Sequence, residues 1–167
     1  MPAPTLMTIG YEGISFDSFR QRLIEARCEL LIDVRAIAAS RRPGFSKTLL
    51  ANGLAEAGID YLHLQPLGTP KDGRDAVRRG DIATMHRIFA AHMEGDRPQA
   101  ALAEATAAAG QRRACLLCFE RDHRECHRTL VAEAIVGRSG QPVEHLEISL
   151  PPELRPSSRK APRRGRP

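Results

Sequence analysis

Apolar positions along the chain come in two forms, short continuous runs and longer stretches with helical spacing, and the two alternate. Leu6 to Gly10 is a short apolar run ending in glycine and followed by Tyr11-Glu12-Gly13, after which Ser15 or Asp17 can cap a helix carrying Phe16, Phe19, Leu23 and Ile24 on one side. Leu30 to Val34 repeats the pattern as a run suited to burial on both faces, with Asp33 and Arg35 at its end. A loop with Arg41, Arg42, Pro43 and Gly44 leads to Ser46, the expected N-cap of a helix with Leu49, Leu50 and Leu54 that stops at Gly58. Ile59 to Leu64 reads as a third strand running into the turn Pro66-Leu67-Gly68-Thr69-Pro70. Residues 68–80 set Lys71, Arg74, Arg78 and Arg79 among glycines and predict a mobile loop or lid.

Two helices follow, one starting near Asp81, the other carrying Pro98 in its first turn and ending at Gly110. Ala114 to Cys118 is a fourth strand, Phe119 to Glu125 is polar, Cys126 to Val136 is helical, and Val143 to Leu150 is a last strand. This alternation predicts a single three-layer α/β domain over residues 1–150, with a mostly parallel sheet flanked by helices. In such sheets ligands bind beyond the carboxyl ends of the strands.

The length of 167 residues suits one domain. The net charge of +5 lies wholly in residues 151–167, where six basic side chains (Arg155, Arg159, Lys160, Arg163, Arg164, Arg166) oppose Glu153 alone, so residues 1–150 balance. A basic DNA-binding surface on the folded body is therefore not expected. No run approaches the ~20 apolar residues of a membrane helix, and no basic segment with an apolar signal core opens the chain, which predicts a cytoplasmic protein without a membrane partner. The four unevenly spaced cysteines are expected to be reduced thiols.

Residues 151–167 are rich in Pro, Arg and Ser and are expected to be disordered. Their end, Arg163-Arg164-Gly165-Arg166-Pro167, resembles the AT-hook element that lies in the minor groove of A·T-rich DNA, with arginines entering where the potential is most negative. A nonspecific basic tail is the alternative.

Parallel strands would bring Tyr11, Glu12, Asp33, Arg35, His63, Cys118 and Glu120 to one rim. The segment Cys118 to Arg128 is the richest in chemistry, with Arg124 and Arg128 as two-pronged donors beside a helix N-terminus. Cys118 and Arg124 have the spacing of a thiol phosphatase loop, but the loop lacks its usual glycine, and Glu120 and Asp122 would repel an anion. Cys118 is equally readable as a small core residue. Cys118, His123, Cys126 and His127 are of the types zinc accepts. No pair has Cys-x2-Cys spacing, however, and adjacent Cys126 and His127 would diverge at a helix start, so no metal and no cofactor is assigned. Asp33 and Arg35, two apart on a strand, face one side as a base and an anion clamp or as a structural ion pair.

The elements Thr8-Ile9-Gly10-Tyr11, Asp33-Val34-Arg35, Phe45-Ser46-Lys47, Tyr61-Leu62-His63-Leu64 with Leu67-Gly68, and Leu116 to Glu120 followed by Cys126-His127-Arg128 together resemble the domain of unknown function 488 family across residues 6–137. The resemblance implies a compact α/β domain of prokaryotic cytoplasm without a settled activity. It carries over Tyr11, Asp33, Arg35, Ser46, Lys47, His63, Cys118, Glu120, Cys126, His127 and Arg128 as site positions; Arg124 lies outside the family's pattern. The leading expectation is a hydrolase-like enzyme acting on a phosphate-bearing or nucleotide-like substrate, with Asp33, Cys118, Glu120 and His127 as catalytic candidates. Tyr11, Arg35, Ser46, Lys47, His63, Arg124, Cys126 and Arg128 are the candidates for holding substrate. A nonenzymatic phosphate- or nucleic-acid-binding module and a thiol redox sensor closing a Cys118–Cys126 disulfide stand as alternatives.

Overall fold

The computed structural model of the protein describes residues 3–149. The basic tail of residues 151–167, expected to be disordered with an AT-hook-like end from Arg163 to Pro167, lies outside these residues. Among the described residues, β1 (Leu6–Gly10), β2 (Leu30–Asp33), β3 (Asp60–His63), β4 (Ala114–Cys118) and β5 (Val143–His145) form one sheet in the order β3-β2-β4-β1-β5. Every pairing is parallel, so the sheet is more uniform than the mostly parallel arrangement expected.

Alternate residues of each strand feed two separate cores. Met7, Ile9, Leu31, Cys115 and Leu117 pack with Phe19 and Leu23 of α1 (Phe16–Glu25) and with Leu50 and Leu54 of α2 (Lys47–Ala55). Leu6, Leu30, Ile32, Ala114 and Leu116 pack against the other face. That face is covered by α3 (Lys71–Arg78), α4 (Ile82–Met93), α5 (Asp96–Gln111) and α6 (Arg128–Ser139), through Ala76, Phe89, Leu102 and Val131 among others. Ser15 caps α1 by accepting from the Ser18 N–H, and Asp81 caps α4 through the Thr84 N–H, as their residue types favour. No helix among the described residues is long and apolar enough to cross a membrane.

Three local expectations are corrected. The segment expected to be a mobile lid contains α3, packed on α4. Gly73 sits inside this helix because a Cβ there would stand 2.4 Å from Thr69 Cγ2; the glycine answers a packing demand, and a flexible loop does not follow from it. The last helix starts at Arg128, two residues later than expected, after a 3₁₀ turn at His123–Glu125, because Cys126 is held extended (φ −122°, ψ 144°). The last strand ends at His145, well short of Leu150.

The connections leaving β1 and β2 pass to the α1–α2 layer, whereas the one leaving β4 passes to the opposite layer through α6. The crevice at the end of β4 is therefore flanked on both sides by loops that turn away from it, the switch point where open α/β sheets take their ligands. Register places Gly10 beside Cys118 and Asp33 beside Leu117, so the three strand ends are level.

Candidate functional site

A pocket of about 560 Å³ opens at that switch point. Its walls come from Tyr11 and Glu12 after β1, Arg35 to Ser40 after β2, Cys118 to Glu120 after β4, His127 before α6, and Thr69, Arg74, Val77 and Arg78 in and before α3. Two buried polar clusters stand behind it, one toward each helix layer.

On the α1–α2 side, Asp33 is wholly buried and Arg35 is 5 % exposed. Arg35 Nη2 donates to Asp33 Oδ2 at 2.7 Å and Nε to Oδ1 at 2.9 Å, a two-pronged ion pair. Arg35 Nη1 donates to the Phe45 carbonyl (2.8 Å) and the Tyr11 hydroxyl (3.2 Å), so four of the five guanidinium N–H groups are occupied. Burial works against the guanidinium charge, but Asp33 outweighs it and holds the pKa above its ordinary value. Tyr61 donates its hydroxyl to Asp33, and its phenol is pushed up, first by burial and then by that carboxylate. Tyr11 stacks on Phe45 with ring centroids 4.4 Å apart and meets Phe119 edge-on at 5.3 Å. Arg35 is thus a fixed charge behind an aromatic wall and has little left with which to clamp an anion.

On the other side, Cys118 ends β4 pointing toward α6. Its Sγ lies 3.0 Å from Glu120 Oε2, to which it donates, and 3.5 Å from His127 Nδ1. Cys126 Sγ lies 3.8 Å from the same nitrogen. His127 Nε2 is 2.7 Å from the Val34 carbonyl. A carbonyl only accepts, so Nε2 carries a proton, and Nδ1 faces the two sulfurs. Burial raises the pKa of both thiols, that of Cys126 well above the ordinary value, so at neutral pH the ion-free pair is protonated.

Arg128 is 1 % exposed and finds no carboxylate among the described residues. Its donors go to the Thr8 hydroxyl (3.2 Å) and to the carbonyls of Glu120 and Arg121. Gly10 makes room for this, since a Cβ there would stand 1.9 Å from the Glu120 carbonyl oxygen. Arg128 therefore holds the loop that presents Glu120.

A sequence model of the family described as "Domain of unknown function DUF488" matches residues 15–135. The chain belongs to this family. No curated protein and no solved structure matches it significantly.

In this DUF488 domain the pocket gathers Tyr11, Arg35, Cys118, Glu120 and His127 from among the residues singled out in the sequence. Asp33 and Cys126 stand directly behind them as partners of Arg35 and His127. His63 Nε2 meets the Arg35 carbonyl at 2.8 Å and braces the end of β2 from β3. Ser46 exchanges hydrogen bonds with the Ser40 main chain and closes the loop of residues 36–46, while Lys47 begins α2 with an exposed side chain. Arg124 lines a different pocket and forms a two-pronged pair with Asp122, so the phosphatase-type cradle of Cys118 with Arg124 is not formed.

Sequence reasoning missed Thr69, Arg74, Arg78 and Glu125 as pocket residues of the DUF488 domain. A usable sign was present for two of them: Arg74 and Arg78 are four apart and share a face once α3 is helical.

Proposed function

We propose that the switch-point pocket is the active site of a hydrolase for a small phosphate-bearing, nucleotide-related substrate, with Glu120 as general base and acid. The observation that carries this reading is the setting of Glu120. Its carboxylate lines the pocket, accepts from the buried Cys118 thiol, and stands on a loop fixed by Arg128. A carboxylate anchored through its main chain and partly open to solvent is suited to moving a proton between water and substrate. Acids supplied by the β1 and β4 connections (Glu12, Glu120, Glu125) share the pocket lining with arginines supplied by α3 (Arg74, Arg78). Such a pocket takes a ligand anionic at one end and reacts at the other. Phe119, 46 % exposed and in the pocket wall, offers a ring surface, which suits a nucleobase.

In the reaction, Glu120 accepts a proton from water, the water oxygen bonds to the electrophilic phosphorus or glycosidic carbon, and the bond to the leaving group breaks. The leaving group departs with the electron pair and receives the proton from Glu120. A thiolate nucleophile at Cys118 is disfavoured by burial, which keeps the thiol protonated.

The test is release of phosphate or free base from a panel of nucleotides and phosphate esters by the purified chain. Glu120→Gln is expected to lower kcat by about 10²-fold or more, the usual worth of a positioned acid–base group. Arg74→Ala with Arg78→Ala is expected to raise KM with a smaller effect on kcat. Nucleotide binding without turnover by the wild type would leave a binding module in place of an enzyme; neither binding nor turnover would end both readings.

A further inference from the structure

Cys118, Cys126 and His127 do more than fill space beside the pocket. Their Sγ, Sγ and Nδ1 atoms all lie within 4.8 Å of one another, with sulfur-to-nitrogen separations of 3.5 and 3.8 Å. A tetrahedral zinc ion with bonds of about 2.3 Å to sulfur and about 2.0 Å to nitrogen sets those ligands about 3.5 Å apart. The main chain produces this convergence: Cys126 is extended and His127 is helical (φ −64°, ψ −16°), so two adjacent residues that would diverge on a helix turn toward one point.

Three further features are those of a metal ligand set. His127 offers Nδ1 while its Nε2 proton is held by the Val34 carbonyl, the outer hydrogen bond that ligating histidines make. The Arg128 N–H lies 3.4 Å from Cys126 Sγ, a main-chain donor available to a thiolate. Phe89 of α4 packs on the His127 ring with centroids 5.4 Å apart and fixes its plane.

We propose that Cys118, Cys126 and His127 bind one zinc ion, with its fourth position open to the pocket. Thiolate and imidazole donors select a borderline-soft ion of this kind over magnesium or calcium. Cys118 and His127 line the pocket and Cys126 does not, so the uncovered side of the triad is the pocket side. Glu120, touching Cys118, stands beside that side. Three protein ligands and one open position is the pattern of zinc sites that bind water or substrate. On binding, the two thiols each lose a proton to solvent and the sulfur lone pairs form the bonds to zinc, so the two thiolates neutralise the ion. This site stands on the ligand geometry alone and would exist whether or not the pocket hydrolyses anything.

The experiment is titration of the full, reduced, metal-free chain, carrying no histidine tag, with cobalt(II) as a spectroscopic stand-in for zinc. Binding of one ion per chain is expected, with thiolate-to-cobalt charge transfer, the strong visible bands of a tetrahedral site, and displacement by zinc. Cys126→Ser and His127→Gln are expected to weaken binding by more than about 100-fold, since loss of an outer partner alone costs about 10–100-fold. Cys115→Ala, outside the triad, should bind as the wild type does. Glu120→Gln should also keep the ion, so failure of the hydrolase reading and failure of the metal site are separately visible. The wild type alone decides the matter even if a variant fails to fold: a folded, reduced chain that takes up no cobalt, or holds it without a thiolate band, has no such site.

Discussion

His127 Nε2 donates to the Val34 carbonyl across 93 positions of sequence, fastening the residue before α6 to the end of β2. Both partners are buried, and among the described residues no other side chain satisfies that carbonyl. His127→Phe keeps a ring of similar shape and leaves the carbonyl unpaired, which costs about 1–3 kcal/mol. Urea unfolding of the metal-free protein measures it; an unchanged midpoint would mean that water or a neighbour takes the place of the imidazole.

Asp33 and Arg35 form the most deeply buried ion pair among the described residues. Asp33→Asn leaves the Arg35 charge buried with its counter-charge gone, a loss of about 3–5 kcal/mol. Tyr61→Phe removes only one hydroxyl from the same carboxylate and should cost about 1 kcal/mol. Comparable midpoints for the two variants would show that Arg35 finds another partner.

Gly10→Ala places a Cβ 1.9 Å from the Glu120 carbonyl oxygen, and main chain is the thing it meets. The loop carrying Glu120 must shift, at a cost of about 1–3 kcal/mol or more. Amide chemical-shift changes should concentrate in residues 119–128, and a uniform spread over the sheet would contradict the assignment.

Asp122 is held at about 2 by the Arg124 guanidinium and the Arg124 main-chain N–H, against an ordinary 3.8. A carboxylate depressed on folding contributes stability above its unfolded pKa, and that contribution is lost as pH falls through about 4 to about 2. Both side chains meet water, at 36 % and 80 % exposure, so the effect is modest. Asp122→Asn should lose that modest contribution at neutral pH, flatten the acid limb in that window and converge on the wild type below about pH 2.

All four cysteines are buried free thiols. Burial raises Cys28 to about 12 and pushes Cys115 well above its ordinary range. In metal-free protein, iodoacetamide near neutral pH should label none quickly, with Cys118 first because it alone of the four lines the pocket; all four should react after unfolding. Rapid labelling of Cys118 would return a thiol mechanism to consideration.

The strands and most of the helices were legible because long apolar side chains mark them: Leu30 to Ile32 and Leu116 with Leu117 in strands, and Phe19 with Leu23 on α1. Helix α3 was not, because it buries only Gly73 and Ala76, which leave no trace in a hydrophobic pattern. With α3 hidden, Arg74 and Arg78 went unassigned. The Asp33–Arg35 pair was visible in its spacing, yet its use as an internal pair or as a clamp depended on Tyr11 and Phe45, distant in sequence. The convergence of Cys126 and His127 turned on two residues of main-chain conformation that no side-chain pattern announces.

The strand order has a consequence for how the chain is made. β4 lies between β1 and β2, so until residues 114–118 emerge these two earlier strands have a vacant slot between them. A nascent chain ending before Ala114 holds β1 alone and β2 with β3, each presenting unpaired apolar edges to whatever strand comes near. Proteins of this topology are at their most vulnerable to misassociation late in synthesis, and a truncation there should yield insoluble material rather than a smaller working domain.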